Sequence, residues 1–168
     1  MRLTTGEIIQ EFWQRVYAIA FGICRNKMDA EDVTQDTFVK YHLHKKQFES
    51  KAHIQAWLFR VAINKARDCS KCFWKNNKIS FDEYMAYEDE NDNLSDDVLR
   101  KESAIALNKA LFELPEKYRI VIHLYYYEDY TCEQISGILT LSPSAVRKRL
   151  DRAREMLKNK VKEEFGDD

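Results

Sequence analysis

Apolar residues recur at three- and four-residue spacing along most of this chain, and this spacing limits the possible folds more than any other feature. Between Ile8 and Ile23 it predicts an amphipathic helix with one wide buried stripe. The stripe comprises Ile8, Ile9, Phe12, Trp13, Val16, Tyr17, Ala20 and Ile23. The 168 residues include four glycines and two prolines, so the residues that favour tight turns are scarce. The sequence therefore predicts an all-α fold.

The formal net charge of −1 conceals a strong separation of charge along the chain. Residues 43–78 contain nine basic and two acidic side chains, whereas residues 82–97 contain eight acidic side chains and no basic one. Salt screens charges beyond about 8–10 Å, so a partner experiences the two patches separately. The acidic stretch has the composition of an extended, solvated segment. We expect two small helical domains, residues 1–78 and 98–163, joined by a flexible acidic linker at 79–97.

Several classes of protein are excluded by what the chain lacks. No stretch approaches the roughly 20 apolar residues that cross a bilayer, and the N-terminal residues contain acids and no signal-peptide apolar run. A cytoplasmic protein with its four cysteines mostly reduced is expected. The sequence has no P-loop, no HExxH, no nucleotide fingerprint and no catalytic constellation. We therefore expect neither an enzyme nor a bound cofactor or metal.

The stretch from Asp29 to His42 predicts a second helix whose two faces differ in character, with Asp29 as the expected N-cap. One face is apolar and consists of Ala30, Val33, Thr37, Phe38 and Tyr41. The other face consists of Asp32, Gln35, Asp36 and Val39. Because Asp36 lies beyond the first turn, the helix dipole does not explain it. The face of acids and an amide therefore indicates a docking partner.

The stretch HIQAWLFRVAINKARD predicts a third helix. Its expected buried side consists of Ile54, Trp57, Leu58, Val61 and Ala62. Its expected outer side consists of Phe59, Arg60, Ile63, Asn64 and Arg67. Aromatic rings among cations suit single-stranded nucleic acid, since rings stack on bases and cations hold phosphates. A basic face that is merely solvated explains this helix equally well.

The C-terminal part of the chain contains the signals of a helix-turn-helix. Thr131 and Gln134 form a capping box that opens a short helix ending near Thr140. Ser142 is then suited to cap a longer basic helix with Pro143 at its first position. A short helix, a brief turn and a longer basic helix are the layout of this DNA-binding motif.

The longer helix separates apolar from basic residues. Its expected buried side consists of Val146, Leu150, Ala153 and Leu157. Its expected exposed side consists of Ser144, Arg147, Lys148 and Arg152, with Arg149 and Arg154 at the flanks. Arginine is the preferred reader of guanine in the major groove, and the remaining cations suit phosphates. The alternative is a solvated basic helix. We interpret the preceding tyrosine run, Tyr125 to Tyr127, as core and packing surface.

Three stretches, DAEDVTQDTF, WLFRVAIN and the segment from LPEKYRIV to RARE, resemble conserved segments of one family. This family is the bacterial sigma factors of the extracytoplasmic-function (ECF) group, and the resemblance covers nearly the whole chain in the family's order. It implies a factor that binds core RNA polymerase, directs it to promoters and melts DNA without catalysis of its own. It also implies inhibition by an anti-sigma factor, and it places Thr140 where the family's turn usually has glycine.

The resemblance implies three binding sites. Asp32, Gln35 and Asp36 would dock on the clamp coiled coil of the largest polymerase subunit, with the polymerase flap as a further contact. The minus-ten promoter element would be bound by Phe48, Lys51, His53, Phe59, Arg60, Val61, Asn64 and Arg67. The minus-thirty-five element would be bound by Ser144, Arg147, Lys148, Arg149 and Arg152.

Two other functions remain open at this point. One is an ordinary helix-turn-helix regulator that recognises duplex DNA without polymerase. The other is a thiol or zinc sensor built on Cys69 and Cys72, whose C-x-x-C spacing occurs in redox and metal sites. The pair lacks a second pair of ligands at the spacing typical of a metal site.

Overall fold

The structure is a computed structural model that describes residues 1–72 and 98–165. The chain divides into two compact units, Met1–Lys78 and Ile79–Asp168. Within the described ranges every regular element is a helix, and the prediction of an all-α fold is confirmed. The predicted acidic linker at 79–97 lies outside the described residues.

In residues 1–72 of the first unit three helices pack against one another: α1 (Thr5–Cys24), α2 (Lys27–Leu43) and α3 (Lys51–Cys72). A capping box of Thr4 and Glu7 opens α1, and hydrogen bonds from the Thr4 backbone and hydroxyl lower the pKa of the Glu7 carboxyl. The predicted stripe of α1 is buried at Ile8, Phe12, Val16, Ala20 and Ile23. Ile9 is exposed instead, because it lies about 100° around the helix from Ile8.

Helix α2 begins earlier than the sequence suggested. Its N-cap is Asn26, whose side-chain oxygen accepts a hydrogen bond from the Asp29 N–H at 3.0 Å. The prediction that Asp29 caps this helix is wrong, because Asn26 is an equally good cap and lies upstream. The predicted apolar face is confirmed, since all five of its residues are buried: Ala30, Val33, Thr37, Phe38 and Tyr41.

The second unit contains α4 (Val98–Glu113), α5 (Glu116–Ile122), α6 (Cys132–Leu139) and α7 (Pro143–Phe165). Helices α4, α5 and α6 all pack against α7. A π-helical turn, His123–Tyr127, continues α5, and the N–H of the following residue, Glu128, donates to the His123 carbonyl at 3.2 Å. Nothing in the sequence indicated this turn.

The helix-turn-helix prediction is confirmed in detail. The Thr131 N–H donates to the Gln134 side chain at 2.9 Å, and the Gln134 N–H donates to the Thr131 hydroxyl at 3.2 Å. The Ser142 hydroxyl accepts from the Ala145 N–H at 3.1 Å and so caps α7. Between the two helices, Thr140 adopts a left-handed conformation with φ 56° and ψ 48°.

The left-handed Thr140 leads to a stability prediction. A residue with a Cβ is strained by about 1–2 kcal/mol in the left-handed backbone conformation, whereas glycine is not. Thr140 is exposed, so its replacement removes no core contact. Relief of this strain stabilises the glycine variant, whereas the greater conformational freedom of glycine in the unfolded chain offsets part of that gain. We therefore expect Thr140→Gly to raise the free energy of unfolding of the second unit by about 0.5–1 kcal/mol. Urea denaturation of the full chain, followed by circular dichroism, measures the change.

Thr140→Ala is the matched control, because alanine keeps the Cβ that causes the strain. Its stability should lie within a few tenths of a kcal/mol of the parent. A glycine variant that is no more stable than the alanine variant would show that the turn is not strained.

Candidate DNA- and polymerase-binding surfaces

The first candidate surface is the basic side of α7, which we call the recognition face. It consists of Ser144, Arg147, Lys148, Arg149 and Arg152, all exposed except the half-buried Arg149. The opposite side of α7 is fixed in the core by Val146, Leu150 and Ala153, each at most 2% exposed. Leu157, also predicted to be buried, is only partly covered. The helix is therefore held rigidly while its cations face outward.

Two residues of the recognition face have partners within the second unit. Arg147 forms an ion pair with Glu133 in the first turn of α6, with the nitrogen and oxygen 3.4 Å apart. Arg152 hydrogen-bonds the Tyr118 hydroxyl, which is the main reason that the pKa of Tyr118 is lowered. Both members of the Arg147 pair are more than half exposed, so the pair is weak and exchangeable. Sequence reasoning missed Glu133, which lies 14 residues from its partner.

The second candidate surface extends along α3 from Lys51 to Arg67, and we call it the minus-ten face. Lys51, His53, Arg60 and Asn64 are exposed, while Val61 and Arg67 are partly buried. The Ser50 hydroxyl accepts a hydrogen bond from the His53 N–H at 3.1 Å, and the His53 ring accepts one from the Glu49 N–H at 3.2 Å. Lys51 also forms an ion pair with Glu11 of α1. The end of the loop that precedes α3 is thus hydrogen-bonded to the first turn of α3.

Two aromatic residues predicted for the minus-ten site are buried. Phe59 is 0% exposed and lies under the Arg15 guanidinium, 5.5 Å from its ring centre. Phe48 is 3% exposed and stacks on Tyr41 and His44. The prediction of an exposed stacking ring at Phe59 is therefore wrong, because α1 and α2 both cover α3 and widen its buried stripe.

The same widening buries another residue of the predicted outer side, Ile63, which is 1% exposed. Conversely, Trp57 and Val61 are only partly covered, although both were expected in the core. The accessible part of the minus-ten face is therefore mainly cationic and polar, and Val61 is partly accessible beside these groups.

The third candidate surface is the polar side of α2, which we call the docking face. Asp32, Gln35 and Asp36 are all exposed there, beside Val39, an apolar side chain that is 55% exposed. The Asp36 carboxylate accepts a hydrogen bond from the Lys65 ammonium of α3 at 3.0 Å. Sequence reasoning missed Lys65, which is 29 residues away. Carboxylates around an exposed apolar residue form a surface suited to a partner that is itself partly basic.

Two family descriptions match the two units. "Sigma-70 region 2" matches residues 8–74, and "Sigma-70, region 4" matches residues 104–157. The chain belongs to the sigma-70 family.

Known sigma factors resemble the chain over nearly its whole length. It is 29% identical to the ECF RNA polymerase sigma factor SigM of Bacillus subtilis, covering 93% of this chain and 94% of SigM. It is 23% identical to SigW of the same organism, covering 94% of this chain and 89% of SigW. The sigma factor RpoE from Bartonella quintana, solved in complex with the anti-sigma factor NepR, has the same fold, with a TM-score of 0.66 at 20% identity over 94% of this chain and 96% of RpoE.

These matches confirm the prediction of an ECF sigma factor that binds core RNA polymerase and directs it to promoters. Sigma factors are initiation factors, in agreement with the absence of catalytic motifs from the sequence. No helix in the part of the chain that the structure describes is both long enough and apolar enough to cross a membrane.

The tyrosine run of this sigma factor has a more specific role than the sequence suggested. Arg154 of α7 donates to the Tyr126 hydroxyl at 2.7 Å, and its guanidinium lies 5.4 Å from the Tyr125 ring centre. The hydrogen bond to Tyr126 holds the pKa of Arg154 above its ordinary value. Tyr126 and Tyr127 are 51% and 60% exposed, so of the predicted core and packing surface they form packing surface only. Arg154 thus connects α7 to the π-helical turn, and these contacts engage its guanidinium.

The alternative function of a thiol or zinc sensor gains no support from the described residues. Among them, no group of three or more histidine, cysteine, aspartate or glutamate side chains is arranged to hold a metal ion. Cys69 is half-buried on α3, and the side chain of Cys72 lies outside the described residues.

Proposed function

We propose that the three surfaces have separate roles in initiation. The recognition face reads the minus-thirty-five element, the minus-ten face binds the melted minus-ten element, and the docking face contacts the clamp coiled coil of the largest polymerase subunit. On this proposal residues 1–78 and 98–163 act as separate promoter-binding domains, joined by residues 79–97. The polymerase flap is the proposed contact of the second domain.

One observation above all supports this proposal: an arginine-rich helix face is rigidly presented by a capped helix-turn-helix. Val146 and Leu150 fix the helix from behind, so Arg147 and Lys148 project from a defined position. Fixed donors discriminate bases better than mobile ones, because less side-chain entropy is lost on binding. The contacts to the minus-ten element rely mainly on cations and polar groups, since Phe48 and Phe59 are buried.

In-vitro transcription with purified core polymerase tests the function. We expect the chain to convert core polymerase, which initiates poorly at promoters, into an enzyme that starts transcription at defined positions. A helix-turn-helix regulator that acts without polymerase would bind duplex DNA, but core polymerase would still not initiate at defined promoter positions in its presence. The exposed acids of the docking face, at Asp32 and Asp36, favour the sigma factor, because a regulator that only binds DNA gains nothing from carboxylates there.

We also propose that an anti-sigma protein inhibits this factor by covering the docking and DNA-binding surfaces. The support is the relative of the same fold, RpoE, which was solved in complex with the anti-sigma factor NepR.

A further inference from the structure

The first residues of the chain form a strap across the end of α2. The Phe48 N–H donates to the Met1 carbonyl at 3.1 Å, and the Met1 nitrogen donates to the Phe48 carbonyl at 2.6 Å. The Tyr41 hydroxyl donates to the Leu3 carbonyl at 2.7 Å. Residues 1–3 are thereby bonded both to the last turn of α2 and to the loop that follows it.

Arg2 is the centre of this strap. Its guanidinium donates to the carbonyl of Tyr41 at 3.3 Å, to that of His42 at 3.0 Å and to that of His44. It also lies over the Tyr41 ring, 5.7 Å from the ring centre. The last carbonyls of a helix have no partner within the helix and carry a partial negative charge. The Arg2 guanidinium provides donors for the His42 and His44 carbonyls and adds a second donor to the Tyr41 carbonyl, which already accepts the His44 N–H at 3.1 Å. The fork of N–H groups on a guanidinium allows one side chain to reach all three.

The carbonyls that Arg2 holds are connected to the minus-ten face through packed rings. The His44 ring stacks on the Phe48 ring at 4.9 Å, and the edge of Phe48 meets the His53 ring at 5.3 Å. His53 in turn accepts the Glu49 N–H. A continuous set of contacts therefore runs from Arg2 to the exposed residues 49–53.

We propose that Arg2 is a positioning residue for capture of the melted minus-ten strand. By fixing the end of α2 it fixes Phe48, and the buried Phe48 sets the position of residues 49–53, which form the end of the loop and the first turn of α3. This inference rests on the proposed role of the minus-ten face. Small displacements of a binding loop weaken recognition strongly, because the contacting groups must be held in one geometry before the strand arrives.

The experiment compares holoenzymes made with full-length wild-type chain and with Arg2→Ala. The probe is a fluorescent single-stranded oligonucleotide that covers the minus-ten region of the non-template strand, taken from a promoter at which the wild-type holoenzyme initiates. We expect Arg2→Ala to bind this probe about tenfold more weakly. Its affinities for core polymerase and for a minus-thirty-five duplex should remain within about twofold of wild type, because it touches neither surface.

Lys40→Ala is the matched control. Lys40 is an exposed cation in the last turn of α2, so its loss changes the charge at the same helix end but leaves the Arg2 hydrogen bonds in place. We expect it to bind the probe as the wild type does. Arg2→Lys, which keeps the charge and loses the fork, should fall between Arg2→Ala and wild type, and it decides the question if Arg2→Ala does not fold.

Two results would overturn the inference. One is a probe affinity of Arg2→Ala equal to that of wild type. The other is an equal loss of probe and core binding, which would show a purely structural role. If the wild-type holoenzyme initiates but does not bind the probe, the proposed role of the minus-ten face fails instead.

Discussion

Arg147→Ala should weaken binding to the minus-thirty-five element by about 1–3 kcal/mol, which is about 5- to 150-fold. Arg147 lies one turn into α7 and is exposed, while Val146 and Leu150 of the same helix are buried. The N-terminal part of a recognition helix is the part that reaches base edges in the major groove. In the free protein the Arg147 guanidinium forms an ion pair with Glu133, with the nitrogen and oxygen 3.4 Å apart. That exposed pair is weak enough to be exchanged for a guanine edge, whose two acceptors match the fork.

The diagnostic result is a loss of sequence preference. Binding of the full chain in holoenzyme to a set of minus-thirty-five duplexes, each changed at one base pair, measures it. We expect Arg147→Ala to become indifferent to one position while still discriminating the others.

Lys148→Ala is the control, because Lys148 is an exposed neighbour with a single charged group. It should weaken binding to all duplexes by a similar factor and reduce the dependence of binding on salt. If Arg147→Ala likewise weakens every duplex equally, Arg147 contacts phosphate and does not read a base.

The capping of the helix-turn-helix could be predicted from sequence because its causes are local. Thr131 and Gln134 are three residues apart, and the Ser142 cap adjoins its helix. Such signals need no knowledge of the rest of the chain. The buried side of α2 was predictable for the same reason, since one helical period identifies one face.

The details of the binding surfaces could not be predicted, because they depend on contacts between distant residues. Phe59 is buried because two other helices cover α3, whereas periodicity alone gave α3 a single buried side. The partner of Asp36 lies 29 residues away along the chain, and many other cations were available to it. Arg2 binds backbone carbonyls about 40 residues away, which no charge pattern in the sequence identifies. Sequence thus indicated which residues are charged and exposed, but not which of them are already paired.

Asp36→Arg should reduce the affinity for core polymerase by about 2–3 kcal/mol, or about 30- to 150-fold. Asp36 is 54% exposed in the middle of the docking face, beside the exposed Val39. A reversed charge there would oppose a basic partner surface, and like charges across an interface are costly. The fold should be retained, because the pair with Lys65 is exposed and such pairs contribute at most about 1 kcal/mol.

Lys65→Ala separates loss of the ion pair from loss of the docking carboxylate. It breaks the same 3.0 Å contact but leaves Asp36 in place, so its affinity for core polymerase should stay within about twofold of wild type. A pull-down with titrated core polymerase compares the variants, and thermal unfolding verifies that both are folded. If Asp36→Arg binds core polymerase as tightly as wild type, Asp36 is not part of the docking face. If Lys65→Ala loses as much affinity as Asp36→Arg, binding depends on the arrangement of α2 and α3 that the ion pair maintains. The loss of affinity in Asp36→Arg would then not result mainly from a lost contact between the carboxylate and polymerase.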